Sequence, residues 1–150
     1  MQRAFALATE AAKQQEVPVG AVVVFQGKII AEAFNQTIFL NDPSAHAEIL
    51  ALRRAGEYRK NYRLPECELF VTIEPCLMCT GALIHSRIKR LVFGAREPKA
   101  GVIFSRLQVL NEKFINHQVT VESGLMAEES SALMSDFFKM RRLKSRDVKM

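Results

Sequence analysis

Residues 19–25 read Val-Gly-Ala-Val-Val-Val-Phe, an apolar run with almost no polar alternation. A half-exposed strand alternates, whereas a strand covered on both faces does not, so this segment demands packing layers above and below it. The rest of the sequence can supply them. Residues 4–15 set Phe5, Ala8, Ala11, Ala12 and Gln15 at helical spacing, with Pro18 as the stop. Gln26-Gly27 makes a turn and residues 28–34 a second strand. Ser44 is placed to N-cap a helix that carries His46 to Leu52 and ends near Gly56. Residues 68–73 form a third strand, Pro75 opens a helix over 76–85, and 90–94 is a short buried strand. Residues 95–116 lack a clear period, apart from a weak apolar segment at 102–104. Residues 118–122 alternate as a strand, and Gly124 ends it. A long amphipathic helix over 125–143 carries Leu125, Leu133, Phe137 and Met140 in one stripe, with Met126 and Met134 beside it. The order αββαβαβ(β)α predicts a central sheet with helices on its faces.

The chain has 150 residues, 49% of them apolar and 25% charged, which suits one globular domain and excludes disordered, collagen-like and coiled-coil classes. No apolar window is long enough to span a membrane. The first ten residues read as a helix rather than a secretory signal. An odd count of three cysteines argues against a disulfide framework. The expectation is a single soluble, cytoplasmic domain over 1–150. The formal charge of +5 is unevenly spread. Residues 84–106 hold six basic side chains against Glu97, and residues 139–149 hold six more against Asp147. The remainder carries nine basic and fourteen acidic residues. Two basic segments on a mildly acidic body form the footprint of a polyanion partner, or else a solvated basic surface.

Two short clusters carry the chemistry. His46-Ala47-Glu48 lies early in a predicted helix, and Pro75-Cys76-Leu77-Met78-Cys79 lies at a strand-to-helix turn. Cysteines three apart at a helix start can aim both sulfurs at one point, and a helix N-terminus favours the thiolate that binds zinc. Cys-x-x-Cys alone is weak evidence, compatible with a redox dithiol, with a structural zinc site completed by Cys67, His85 or His117, or with coincidence. The combination with His46 is more specific. One His and two Cys leave the fourth tetrahedral position open to water, whose pKa zinc lowers toward neutrality. Glu48, two residues from His46, can reach that water and carry its proton to a ring nitrogen and a leaving amine. His-x-Glu followed by Pro-Cys-x-x-Cys is the signature of zinc nucleobase deaminases, in which the Glu is not a ligand.

These motifs resemble the cytidine deaminase-like zinc superfamily. Further stretches resemble its branch of bacterial tRNA-specific adenosine deaminases: residues 16–22, Asn35, 42–49, 61–64, 72–76, 81–88, 92–96, Asn116-His117 and 135–142. The resemblance covers nearly the whole chain. It implies an α/β fold, a three-layer α/β/α sandwich with a central five-stranded mixed sheet. It further implies a homodimer with one zinc per subunit, converting the wobble adenosine of an arginine tRNA anticodon to inosine. Carried over residue by residue, His46, Cys76 and Cys79 would hold zinc and Glu48 would shuttle protons. Asn35 would hydrogen-bond the flipped nucleoside, Val17, Pro18 and Val19 would line the base pocket, and the backbone around Ala47 would meet the purine edge. Arg96, Glu97, Lys99, Phe137, Phe138, Arg141 and Arg142 would lie near the RNA. Phe137 and Phe138 point about 100° apart on a helix, so one belongs to the core and the other is available for base stacking.

The chain departs from the family in two places. Glu97 stands where bacterial members commonly have Asp, and Val102-Ile103-Phe104-Ser105 replaces a Gly-Ser pair after the Lys-x-Gly of this loop. Both bear on RNA affinity rather than on the chemical step. Two other functions are open to the same motifs. A zinc deaminase of free cytidine, deoxycytidylate or guanine would have no need of two basic segments. A non-catalytic zinc RNA-binding module would have no need of Glu48.

Overall fold

The computed structural model describes residues 1–149. In chain order it contains helix α1 (Gln2–Lys13), strands β1 (Gly20–Phe25) and β2 (Lys28–Phe34), helix α2 (Ala47–Arg59), and strand β3 (Cys67–Ile73). Helix α3 (Leu77–His85), strand β4 (Arg90–Ala95), a single 3₁₀ turn (Val109–Asn111), strand β5 (Thr120–Ser123) and helix α4 (Ala127–Lys149) follow. The five strands form one mixed sheet in the order β2-β1-β3-β4-β5. β1 runs antiparallel to β2 and β3, whereas β3, β4 and β5 are parallel. Helices α1 and α4 touch each other on one face of the sheet, and α2 and α3 pack together on the other.

The run at 19–25 is explained by this sandwich. Ala21 and Val23 belong to the main core with Leu50, Ala51 and Leu69, while Val22 joins the separate cluster under α1 with Ala4 and Leu7. The approach of α1 is unusually close at Gly20. A Cβ built there would lie 2.0 Å from the Ala4 carbonyl oxygen and 2.7 Å from the Ala8 nitrogen. Both obstacles are helix backbone and cannot swing aside. Gly20→Ala is therefore expected to destabilise the fold by at least about 3 kcal/mol, the upper range for overpacking a core. A urea midpoint equal to that of the parent protein would contradict this close approach.

Element ends differ from the sequence expectation for identifiable reasons. Ser44 does not cap α2, because its N–H and hydroxyl both donate to Asp42 Oδ1 at 2.8 and 2.7 Å. His46 takes the N-cap position instead. Gly56 does not end the helix, which continues to Arg59 and closes on Lys60 in a left-handed conformation at φ 53°. α4 runs six residues beyond the expected stop at Leu143. Its C-terminal third is exposed on all sides and built from good helix formers. The expected stripe on α4 holds only in part: Leu133 and Phe137 are half-buried, whereas Leu125 and Met140 are exposed.

Candidate active site

Two helix N-termini converge on one group of side chains. His46 is the N-cap of α2 and Cys76 the N-cap of α3, each with extended backbone and each accepting the first helical hydrogen bond through its carbonyl. Glu48 and Cys79 sit in the first turns of the same two helices. The unpaired N–H groups and positive ends of both helices favour thiolate and carboxylate there. His46 Nδ1 lies 3.6 Å from Cys76 Sγ and 3.5 Å from Cys79 Sγ, and all three ligand atoms fall within 4.8 Å of one another. A tetrahedral zinc with ordinary Zn–S and Zn–N bonds holds sulfur and nitrogen roughly 3.5 Å apart, so the donor set and its spacing both fit zinc. Among the described residues no other His, Cys, Asp or Glu adds a ligand atom to this group, Glu48 lying beside it. Cys67 is buried at the start of β3, and the His117 ring is 2.8 Å from the Ile88 carbonyl oxygen.

The thiol pair divides its protons unequally. Hydrogen bonding from Cys79, assisted by His46 and opposed by burial, holds the Cys76 thiol down to about 4. The same hydrogen bond and burial push Cys79 far up. The Cys76 hydrogen bond holds the His46 imidazole above its ordinary value. Glu48 is 4% exposed, and burial pushes its carboxyl above the ordinary carboxylate range. A buried carboxyl with a raised affinity for protons is suited to carrying one between two partners.

The other expected site residues divide into groups. Asn35 is buried, and its Oδ1 accepts the Ala47 N–H at 2.7 Å. Its amide nitrogen is thus the group it can offer a substrate, while the Ala47 N–H is already engaged. Pro18 and Val19 are buried and Val17 half-buried. Val17, Ile73, Arg96, Glu97, Lys99, Phe138 and Arg142 line one cleft of about 570 Å³. Phe137 and Arg141 are not part of it. They line a smaller crevice between α1 and α4 with Gln15 and Lys144, the Arg141 guanidinium 5.8 Å from the Phe137 ring centre. The adjacent phenylalanines thus face different surfaces, with Phe138 on the cleft side.

Two buried glutamates were not singled out from the sequence. Glu16 accepts the N–H groups of Ile38 and Phe39 at 3.1 and 2.9 Å and so holds the loop that leads to α2. Glu74, 3% exposed, does the same for the loop after β4. Burial raises its proton affinity, but hydrogen bonds from Phe104, Ser105 and Glu97 outweigh this and hold the carboxyl below its usual range. The sequence signal for Glu74 is an acid between Ile73 and Pro75 with no basic residue close by in the chain, whereas Glu16, after Gln15 and three residues from Lys13, gives none.

The MafB19-like deaminase family matches residues 1–142. The tRNA-specific adenosine deaminase of Haemophilus influenzae is 50% identical over 143 residues, spanning 95% of this chain and 83% of the relative. The chain belongs to the tRNA-specific adenosine deaminase family. The Bacillus subtilis member is 40% identical over 146 residues, spanning 97% of this chain and 91% of the relative. A solved structure from studies of A-to-I editing by tRNA:A34 deaminases superposes with a TM-score of 0.87 at 42% identity, covering 89% of this chain and 96% of that one. The guanine deaminase of Nitrosomonas europaea is more distant, with a TM-score of 0.74 at 26% identity over 91% of this chain and 81% of that one. The α/β sandwich and the deaminase activity expected from the sequence are therefore those of the adenosine deaminase family. No helix among the described residues is long and apolar enough to cross a membrane.

Proposed function

We propose that this chain deaminates the wobble adenosine of an arginine tRNA anticodon to inosine, in the cytoplasm and as a homodimer. The observation that carries the reading is the convergence of His46, Cys76 and Cys79 beside buried Glu48, in a chain with full-length relatives named for tRNA adenosine. His46, Cys76 and Cys79 would hold one zinc, which when bound supplies Lewis-acid activation of a water molecule. Glu48 takes the proton of the attacking water and delivers it to adenine N1 as oxygen bonds to C6. As the C6–N bond breaks, Glu48 passes the remaining hydroxyl proton to the amine, which leaves as ammonia. The Asn35 amide donates to the nucleoside, and Val17, Pro18 and Val19 form the apolar wall for its base. Exposed apolar side chains on the segments next to the metal ligands, namely Ile38, Phe39, Leu40, Leu77 and Met78, support self-association.

The test is inosine detection in an arginine-type anticodon stem-loop, with guanosine in place of the wobble adenosine as control. Turnover of free guanine or cytidine with the RNA untouched would overturn the substrate assignment. The division of the basic residues adds a second check. Arg142, on the cleft, is expected to make a phosphate contact, so Arg142→Ala lowers the slope of log affinity against log salt by roughly one unit. Arg141→Ala, on the α1 side, should change that slope far less. Equal effects would mean that both surfaces bind RNA.

A further inference from the structure

The loop between β4 and the 3₁₀ turn is wrapped around the carboxylate of Glu74. Oε1 accepts the Glu97 N–H at 3.1 Å and the Ser105 hydroxyl. Oε2 accepts the N–H groups of Ile103, Phe104 and Ser105 at 3.1, 2.9 and 3.0 Å. Four backbone donors and one hydroxyl thus close on a buried anion, and among the described residues no Lys or Arg takes part. The wrap is tight enough to require glycine at its inner turn. A Cβ on Gly101 would lie 2.4 Å from Glu74 Cδ and 2.6 Å from each carboxylate oxygen. The Val102 N–H donates to the Pro75 carbonyl at 3.1 Å, which ties the same loop to the backbone of the ligand turn.

The departure from the family pattern at 102–105 gives this anchor a further reach. Val102 and Ile103 are buried, whereas Phe104 stands at the surface against Phe93, with ring centres 5.8 Å apart. The Arg96 guanidinium lies over the Phe104 ring at 5.2 Å. A cation over an aromatic face at this distance is held in place by the ring. The Phe104 N–H is one of the four that Glu74 binds, so the carboxylate fixes the backbone beneath the residue on which Arg96 rests.

We propose that Glu74 is a positioning residue for RNA recognition, its carboxylate fixing the 97–105 loop and, through Phe104, the Arg96 guanidinium on the cleft. The inference rests on the tRNA reading above and adds that affinity for the anticodon is set by a buried residue that meets no RNA. In Glu74→Gln one carboxylate oxygen becomes an NH₂ that faces N–H donors, so the loop loses part of its anchor.

The experiment compares KM and kcat for an arginine-type anticodon stem-loop in the zinc-loaded parent protein and in Glu74→Gln, Gly101→Ala and Phe104→Leu. Glu74→Gln is expected to raise KM about tenfold or more with kcat within about twofold, since hydrogen bonds to a charged group are lost from a binding loop only. Gly101→Ala, whose added methyl meets the Glu74 carboxylate and displaces the loop from it, should reproduce that split at unchanged zinc content. Phe104→Leu should reproduce it in weaker form. Should Glu74→Gln fail to fold or lose zinc, Gly101→Ala decides alone. An unchanged KM in Gly101→Ala, or a fall in kcat at constant KM, would overturn the proposal and make Glu74 a support of the metal turn. No inosine from the parent protein would overturn the tRNA reading instead, so the two failures are distinguishable.

Discussion

Glu48→Gln should abolish inosine formation in the anticodon stem-loop while the protein keeps its fold, its zinc and its affinity for the RNA. The expected loss in kcat is at least about a thousandfold, within the range that positioned proton transfer contributes. The physical basis is that Glu48 is buried against the ligand triad, where it hydrogen-bonds Cys79, and glutamine keeps its shape while removing its proton capacity. Stability should not fall. Burial already disfavours the ionised Glu48 carboxyl, so an uncharged amide of equal size relieves desolvation. The decisive measurements are single-turnover deamination, metal content and a thermal melt on the same preparation. Retained activity at normal zinc content would remove Glu48 from the mechanism and favour a different proton carrier.

Removing the metal should have the second largest effect, visible in stability as well as in turnover. The three candidate ligands come from the starts of two helices, Cys79 buried and His46 and Cys76 half-buried, and without a cation their ligand atoms contact one another. A metal that binds the folded state alone stabilises it by about 4 kcal/mol when present at a thousand times its dissociation constant. For a chain of this size that amounts to a fall of roughly 10 °C in the melting midpoint on chelation. Zinc should restore both the midpoint and the activity. Cys76→Ser, which weakens the ligand set without altering its size, should bind less than one zinc per chain and melt close to the chelated protein. A midpoint indifferent to complete metal removal would contradict a role for these residues as ligands.

The grouping of His46, Cys76 and Cys79 was legible in the sequence because these residues fall in two short, chemically distinctive clusters. His46 and Glu48 are two apart and Cys76 and Cys79 three apart, so local spacing already defines what each helix start presents. Strand β1 was legible for a similar reason, since its lack of alternation follows directly from two covered faces. What sequence did not reveal depends on contacts between distant backbone segments. Nothing around Glu74 shows that residues 97–105 fold back onto it, because the donors are main-chain N–H groups that any sequence possesses. Glu16 is hidden in the same way. The division of Phe137 and Arg141 from Phe138 and Arg142 was half visible. Helical geometry required the phenylalanines to diverge, but only the position of α1 decides which of them faces the cleft. Ser44 failed as a cap because Asp42, two residues earlier, competes for its hydrogen bonds.

The mixed sheet has a consequence for the order in which the molecule can assemble. β1 and β2 form a local hairpin, closed by a two-residue turn, whereas the parallel pairs β3–β4 and β4–β5 must wait for long connections to close. His46 follows the hairpin in the chain, and both cysteines follow β3. The three ligands therefore meet only after β3 has paired with β1 and α3 has packed against α2. Metal capture with all three ligands would thus follow that docking, and a bound ion would act as a latch that slows the separation of the two segments without hastening their encounter.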